Sequence, residues 1–145
     1  MKTVYVIGAL KNPAIPVIGR LLRTWGYDAF DEWWCCSEDA DEWWQQYAKD
    51  RGQTYKEALA SYHAKNVADF DLFHINRAHG ALLVMPAGKS AHMELGHFNG
   101  QKKPAFVLFE KEPDRYDIMY RLAKGGVHMD LDSLKEALDK YLPID

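Results

Sequence analysis

The stretch Pro86-Ala87-Gly88-Lys89-Ser90-Ala91-His92-Met93-Glu94-Leu95-Gly96 holds the densest set of side chains able to do chemistry. Gly88-Lys89-Ser90 falls where a strand pattern gives way to a helix pattern, and the free N–H groups and dipole of a helix start attract anions. Glu94 follows in the second turn, flanked by Met93 and Leu95 with Gly96 beside it, so its helix reads as packed over much of its surface. A carboxylate there can serve as a nucleophile over a cleft whose floor binds a phosphate or a sugar. The alternative is an ordinary surface glutamate.

Other chemistries fail on spacing. A phosphate-binding P-loop needs a glycine where this chain has Leu83. A zinc deaminase would follow His92-Met93-Glu94 with paired cysteines, but Cys35 and Cys36 are adjacent and upstream. A metalloprotease helix needs two histidines four apart around a glutamate, and His92, Glu94 and His97 are out of that register. The six histidines show no ligand spacing, so no metal and no cofactor is expected. Neighbouring cysteines are poorly placed to bridge each other, which leaves no disulfide framework.

Composition narrows the class further. The chain has 145 residues, 48% of them hydrophobic, with 18 Lys and Arg against 21 Asp and Glu and a net charge of −3. That excludes a disordered tail and a basic nucleic-acid track, so no nucleic-acid polymer is expected as partner. The longest apolar run, Ala81 to Met85, is far below the roughly 20 residues that span a bilayer, and no signal-peptide pattern precedes Lys11. A soluble cytoplasmic protein without a membrane partner is the expectation. Aromatics are abundant: five Trp, eight Tyr and six Phe, with four of the Trp in two copies of one tetrapeptide, Asp31-Glu32-Trp33-Trp34 and Asp41-Glu42-Trp43-Trp44.

The elements that must position these residues alternate. Thr3 to Gly8 reads as a buried strand, and Ile15, Ile18, Leu21, Leu22 and Trp25 recur at helical spacing after Pro13. Tyr27 to Phe30 predicts a second strand. Residues 31–69 form a helical, aromatic-rich insertion in a single domain spanning 1–145; Ala40, Trp43, Trp44 and Tyr47 share one helical face, and Thr54 with Glu57 forms a capping box for a helix with Tyr55, Ala58, Leu59 and Tyr62 on its apolar face. Asp71 to Arg77 predicts a short helix, Ala81 to Met85 a third strand, and Ser90 the N-cap of a helix to Gly100. Ala105 to Phe109 is the next strand, Arg115 to Ala123 a helix, Val127 to Met129 the last strand, and Leu131 to Tyr141 the final helix. Strands separated by helices argue for an α/β fold with a parallel sheet covered on both faces. Ligands of such sheets bind at the carboxyl ends of the strands where the order reverses, so the loops after Gly8 and Met85 should face one cleft.

The third strand, Pro86-Ala87-Gly88-Lys89-Ser90-Ala91-His92-Met93-Glu94-Leu95-Gly96, then Gly100-Gln101-Lys102-Lys103-Pro104 and a strand, resembles the signature of the nucleoside 2-deoxyribosyltransferase superfamily, which also holds the deoxynucleoside 5'-monophosphate N-glycosidases. Tyr5-Val6-Ile7-Gly8 is similar to its first strand, and Asp71-Leu72 through Arg77-Ala78 to the segment carrying its second carboxylate. The resemblance implies a five-stranded parallel, flavodoxin-like sheet in the order 2-1-3-4-5, and cleavage or transfer of the N-glycosidic bond of a (deoxy)nucleoside or nucleoside 5'-monophosphate. Glu94 would attack the anomeric carbon and form a glycosyl-enzyme ester, with Asp71 assisting the base. The physics of paired carboxylates agrees, because two sharing a dry cleft have their pKa values pushed apart. Asp71 could instead cap a helix.

Two positions depart from the family pattern. Gly88 stands where the family carries aspartate or serine, and His79 follows Ala78 where it carries aspartate. Lys89 and Ser90, with Lys11 and Asn12 of the loop after Gly8, could compensate by holding a 5'-phosphate; solvated lysines are the alternative. Trp33 and Trp34 read as a stacking wall for the base or as packing, and Trp43 and Trp44 as packing or a subunit contact. The resemblance also implies a homodimer or larger homo-oligomer, with Asp117 or His128 as the residue lent across. An NAD-cleaving hydrolase of the TIR-like kind and a non-catalytic nucleotide-binding module are the alternative readings.

Overall fold

The computed structural model describes residues 1–145. Its centre is a five-stranded, all-parallel sheet in the order β2-β1-β3-β4-β5, where β1 is Thr3–Ile7, β2 Asp28–Phe30, β3 Gly80–Val84, β4 Ala105–Leu108 and β5 Gly126–His128. This is the flavodoxin-like α/β arrangement. The helices are α1 (Ala14–Thr24), α2 (Ala40–Asp50), α3 (Tyr55–Leu59), α4 (Tyr62–Arg77), α5 (Lys89–Gly100) and α6 (Leu131–Tyr141), with 3₁₀ segments at Glu32–Cys36 and Ile118–Leu122. No helix is long and apolar enough to cross a membrane.

Strand alternation divides the core. In β1, Val4 and Val6 point to one face and pack with Ile15, Ile18 and Leu22 of α1 and Leu134 and Leu138 of α6. Tyr5 and Ile7 point to the other, against Ile75 of α4 and Leu95 and Phe98 of α5. β1 and β3 are buried along their whole length, as strands covered on both sides must be. The chain leaves β1 to both sides, into β2 and β3, so the switch point lies at the carboxyl ends of β1 and β3.

Four sequence expectations are corrected by local structure. The helix opening at Thr54 ends after Leu59, although its capping box forms, because Ser61 caps a new helix through the Ala64 N–H. That new helix, α4, runs without a break to Arg77, so Asp71 lies in its interior and caps nothing. Gly88, in an extended conformation, is the N-cap of α5, and Ser90 is already helical. Arg115 to Ala123 forms only the short 3₁₀ turn at Ile118–Leu122.

The first aromatic tetrapeptide is fixed by an ion pair whose carboxylate is buried and whose guanidinium reaches solvent. Asp31, 9% exposed, accepts from Arg23 Nη2 at 2.6 Å, and the same nitrogen donates to the Ala29 carbonyl at 2.9 Å. Gly19 makes room for this pair, because a Cβ there would fall 1.8 Å from Asp31 Oδ2. Gly19→Ala should therefore cost about 2 kcal/mol in urea unfolding by displacing Asp31 from Arg23. Wild-type stability in that variant would show that the pair adapts freely.

Candidate active site

Tyr5 forms the floor of the site. Its ring is 2% exposed and held between Phe30 and Phe98, with centroids 5.2 Å and 5.7 Å away. Two half-buried carboxyl groups look onto this tyrosine from different helices. Asp71 stands one turn before buried Ile75 on α4, and Glu94 lies beside buried Leu95 on α5. Helical spacing turns each toward the sheet, and the packing of α4 and α5 on the same face brings them into one field.

Electrostatics record that proximity. Burial first, and then the charge of Asp71, push the Glu94 carboxyl up to about 7, while the Tyr5 hydroxyl draws it partly back. That hydroxyl contact is loose, outside the geometry of a close hydrogen bond. Asp71 is raised by burial. Tyr5 is raised by burial and by both carboxylates, so its hydroxyl keeps its proton and remains a donor. Glu94 therefore holds its proton up to about pH 7 beside the charge of Asp71, so the pair can carry one proton and one charge together.

The surrounding loops are firmly tied. Gly8 ends β1 because a Cβ there would sit 2.4 Å from Ile15 Cδ1, which leaves a packing reason for the glycine. Asn12 Oδ1 accepts from the Ala14 N–H at 3.0 Å and starts α1, and its Nδ2 is buried without a partner. Trp33 Nε1 donates to the Val6 carbonyl at 2.8 Å and Trp34 Nε1 to the Asn12 carbonyl at 3.0 Å. These two indoles brace the end of β1 and the loop after it. Lys11 pairs with Glu42 of α2 at 2.9 Å, with both side chains largely exposed. Gly88, Lys89 and Ser90 are exposed at the open N-terminus of α5, and Lys89 makes no ion pair.

Several residues stand elsewhere. His79, whose ring nitrogen accepts from the Thr3 N–H at 2.9 Å, lies at the amino end of the sheet, far from the cleft. His128 is 7% exposed and bonded to Ser133 and Gly125 inside its own fold, which removes it as a residue lent to a neighbour. Asp117 is exposed and paired with Arg115. Trp43 is 64% exposed rather than packed. Two cavities lie away from Glu94 and Asp71: one of about 980 Å³ bordered by Trp43, Trp44, Tyr47 and Tyr62, and one of about 410 Å³ between α5 and the second 3₁₀ segment.

Sequence reasoning missed Tyr5 as a site residue, although a tyrosine in a buried strand signals a hydroxyl in need of a partner. It also missed the link from His92 to Tyr120, for which no sequence signal exists. No family model, curated protein or solved structure matches the chain. The class is therefore defined by architecture and site: a doubly wound α/β domain with paired, desolvated carboxylates beside its switch point.

The raised Glu94 predicts a pH-dependent cost. The fold binds this proton more tightly than the unfolded chain does, so stability is fullest below the ordinary value of 4.5 and is lost as pH rises through about 7. Glu94→Gln should melt like wild type near pH 4.5 and be more stable at pH 8.5 by up to about 3 kcal/mol. Equal melting at both pH values would show that Glu94 is not desolvated.

Proposed function

We propose that the protein cleaves or transfers the N-glycosidic bond of a (deoxy)nucleoside or its 5'-monophosphate, with Glu94 as nucleophile and Asp71 as the acid beside the base. The observation that carries this reading is the pair of carboxyl groups presented by α4 and α5 over one tyrosine. Its place near the switch point, and the resemblance of Pro86 to Pro104 to the deoxyribosyltransferase signature, point the same way.

The reactive form holds one proton between the two carboxyl groups, carried by Asp71 as Glu94 attacks. An ionised Glu94 oxygen attacks the anomeric carbon, the C–N bond breaks, and its electron pair leaves with the base, which takes the Asp71 proton. Charge in the oxocarbenium-like state is met by the carboxylate beneath it. The resulting ester is opened at the anomeric carbon by water or by a second base, which returns the proton to Asp71 and frees Glu94. The Tyr5 hydroxyl, which keeps its proton, faces the attacking carboxylate as a neutral neighbour. A 5'-phosphate fits the free amides and Lys89 at the start of α5.

Incubation with nucleosides, 5'-monophosphates and NAD, followed by detection of free base, tests the reading. Base should appear from nucleosides or monophosphates, with a rate that falls as the carboxyl pair loses its last proton above about pH 7, and Glu94→Ala should lower it by about 1,000-fold or more. Release that survives Glu94→Ala, or that occurs from NAD alone, would overturn the assignment.

We further propose self-association through the α4–α5 layer. The outer faces of α1 and α6 leave only Val17 and Leu131 as exposed large apolar residues, whereas the opposite layer exposes Tyr62, Phe70, Phe73, Met93, Ile118 and Met119 among others. At roughly 150–250 Å² per large side chain this amounts to on the order of 1,000 Å² of apolar surface, against about 800 Å² per partner in a stable dimer. Sedimentation should show a dimer at micromolar concentration that Phe73→Glu dissociates; a monomer throughout would contradict this.

A further inference from the structure

The flank of α5 turned away from Glu94 borders a cavity that the proposed reaction does not use. His92, Gly96 and Asn99 share that flank by helical spacing, and the second 3₁₀ segment closes the other side. The cavity holds about 410 Å³, within the range of small-molecule sites. Leu95, Met119 and Leu122 give it apolar walls.

Two observations single it out. Asn99 borders the cavity, and the Oδ1 of that side chain is buried with no hydrogen-bond partner. A buried acceptor left unpaired costs the fold free energy, which a bound N–H donor would recover. Gly96 is the second. Glycine inside a helix is less stable than alanine, yet a Cβ at Gly96 would meet nothing within 4 Å, and its φ is not positive. Neither packing nor backbone conformation calls for glycine there, whereas a long side chain would take up space at the cavity.

The lining also selects the charge of an occupant. No lysine or arginine borders the cavity, and its one carboxylate is Asp117, which accepts at 2.8 Å from a largely exposed Arg115. His92 and Tyr120 bond to each other at 2.7 Å, so neither is left in need of a partner. Burial first, and then the Asp117 charge, raise the Tyr120 hydroxyl, so the carboxylate is felt at the cavity wall. Such a field favours a cation and opposes an anion.

We propose that this cavity is a binding site for a small apolar molecule carrying an amine, whose N–H donates to Asn99 Oδ1 and whose positive charge faces Asp117. The site is separate from Glu94 and Asp71 and stands whether or not the protein cleaves a glycosidic bond.

Benzylamine and benzoate, titrated into the protein at pH 7 and followed through its amide NMR signals, test the proposal. Benzylamine should bind with a Kd of about 1 mM and move the signals of Leu95, Gly96, Asn99 and Leu122, with benzoate at least about ten-fold weaker. Asn99→Leu keeps the volume and removes the acceptor, and should weaken benzylamine by about ten-fold. Gly96→Leu should abolish binding while melting no lower than wild type, so that unfolding cannot explain the loss. Glu94→Gln should bind as wild type, because the carboxyl pair does not hold the amine. Met119 at the rim also belongs to the face proposed above for self-association, so binding should persist in Phe73→Glu as well. No binding at about ten times the expected Kd, benzoate as tight as benzylamine, or signals that move at Tyr5 and Asp71 instead would overturn the site. Loss of binding in Glu94→Gln or Phe73→Glu, or undiminished binding in both Asn99→Leu and Gly96→Leu, would overturn it too.

Discussion

Two carboxyl groups held over a buried tyrosine cost the fold free energy, and the architecture around them is what makes that arrangement stable. Asp71 and Glu94 come from helices separated in sequence by a whole strand, so neither can find the other until β1 and β3 are paired and α4 and α5 lie on one face. Tyr5 brings a hydroxyl to the floor. Its ring, wedged between Phe30 and Phe98, is part of the core, while its hydroxyl belongs to the site. The same side chain joins packing to chemistry.

The two copies of the aromatic tetrapeptide show how identical local sequence acquires different roles. In the first copy Asp31 is paired with Arg23, and Trp33 and Trp34 spend their indole N–H groups on the carbonyls of Val6 and Asn12. These bonds brace the end of β1 and the loop that follows it. In the second copy Asp41 and Glu42 open α2, Glu42 holds Lys11, and Trp43 faces outward. A brace on the end of β1 and an exposed surface on the insertion are built from one motif, and the difference comes from what each segment packs against.

The sheet order was legible because β-branched runs alternate with helical periods and a parallel sheet has few allowed connections. Leu131–Tyr141 is found where its periodicity places it. Helix limits were less legible where tertiary contacts decide them: Asp71 looks like a cap only when α4 is taken to begin there, and Ser61 caps the helix ten residues earlier. Of the site, Glu94 could be singled out from its neighbours, and Asp71 through resemblance. The ties of Lys11 to Glu42 and of His92 to Tyr120 join residues 31 and 28 positions apart, and no local pattern encodes them. His128 was misread because a titratable residue in a terminal strand gives no sign from sequence of being satisfied by Ser133 and Gly125.

The central claim is that Glu94 forms a bond to the sugar, and mass spectrometry of the intact protein measures this directly. Rapid acid quenching during turnover of a deoxynucleoside 5'-monophosphate should reveal protein heavier by one deoxyribosyl phosphate, with the addition on the peptide that contains Glu94 and absent from Glu94→Gln. Base release without any covalent adduct, or an adduct on another residue, would contradict the account.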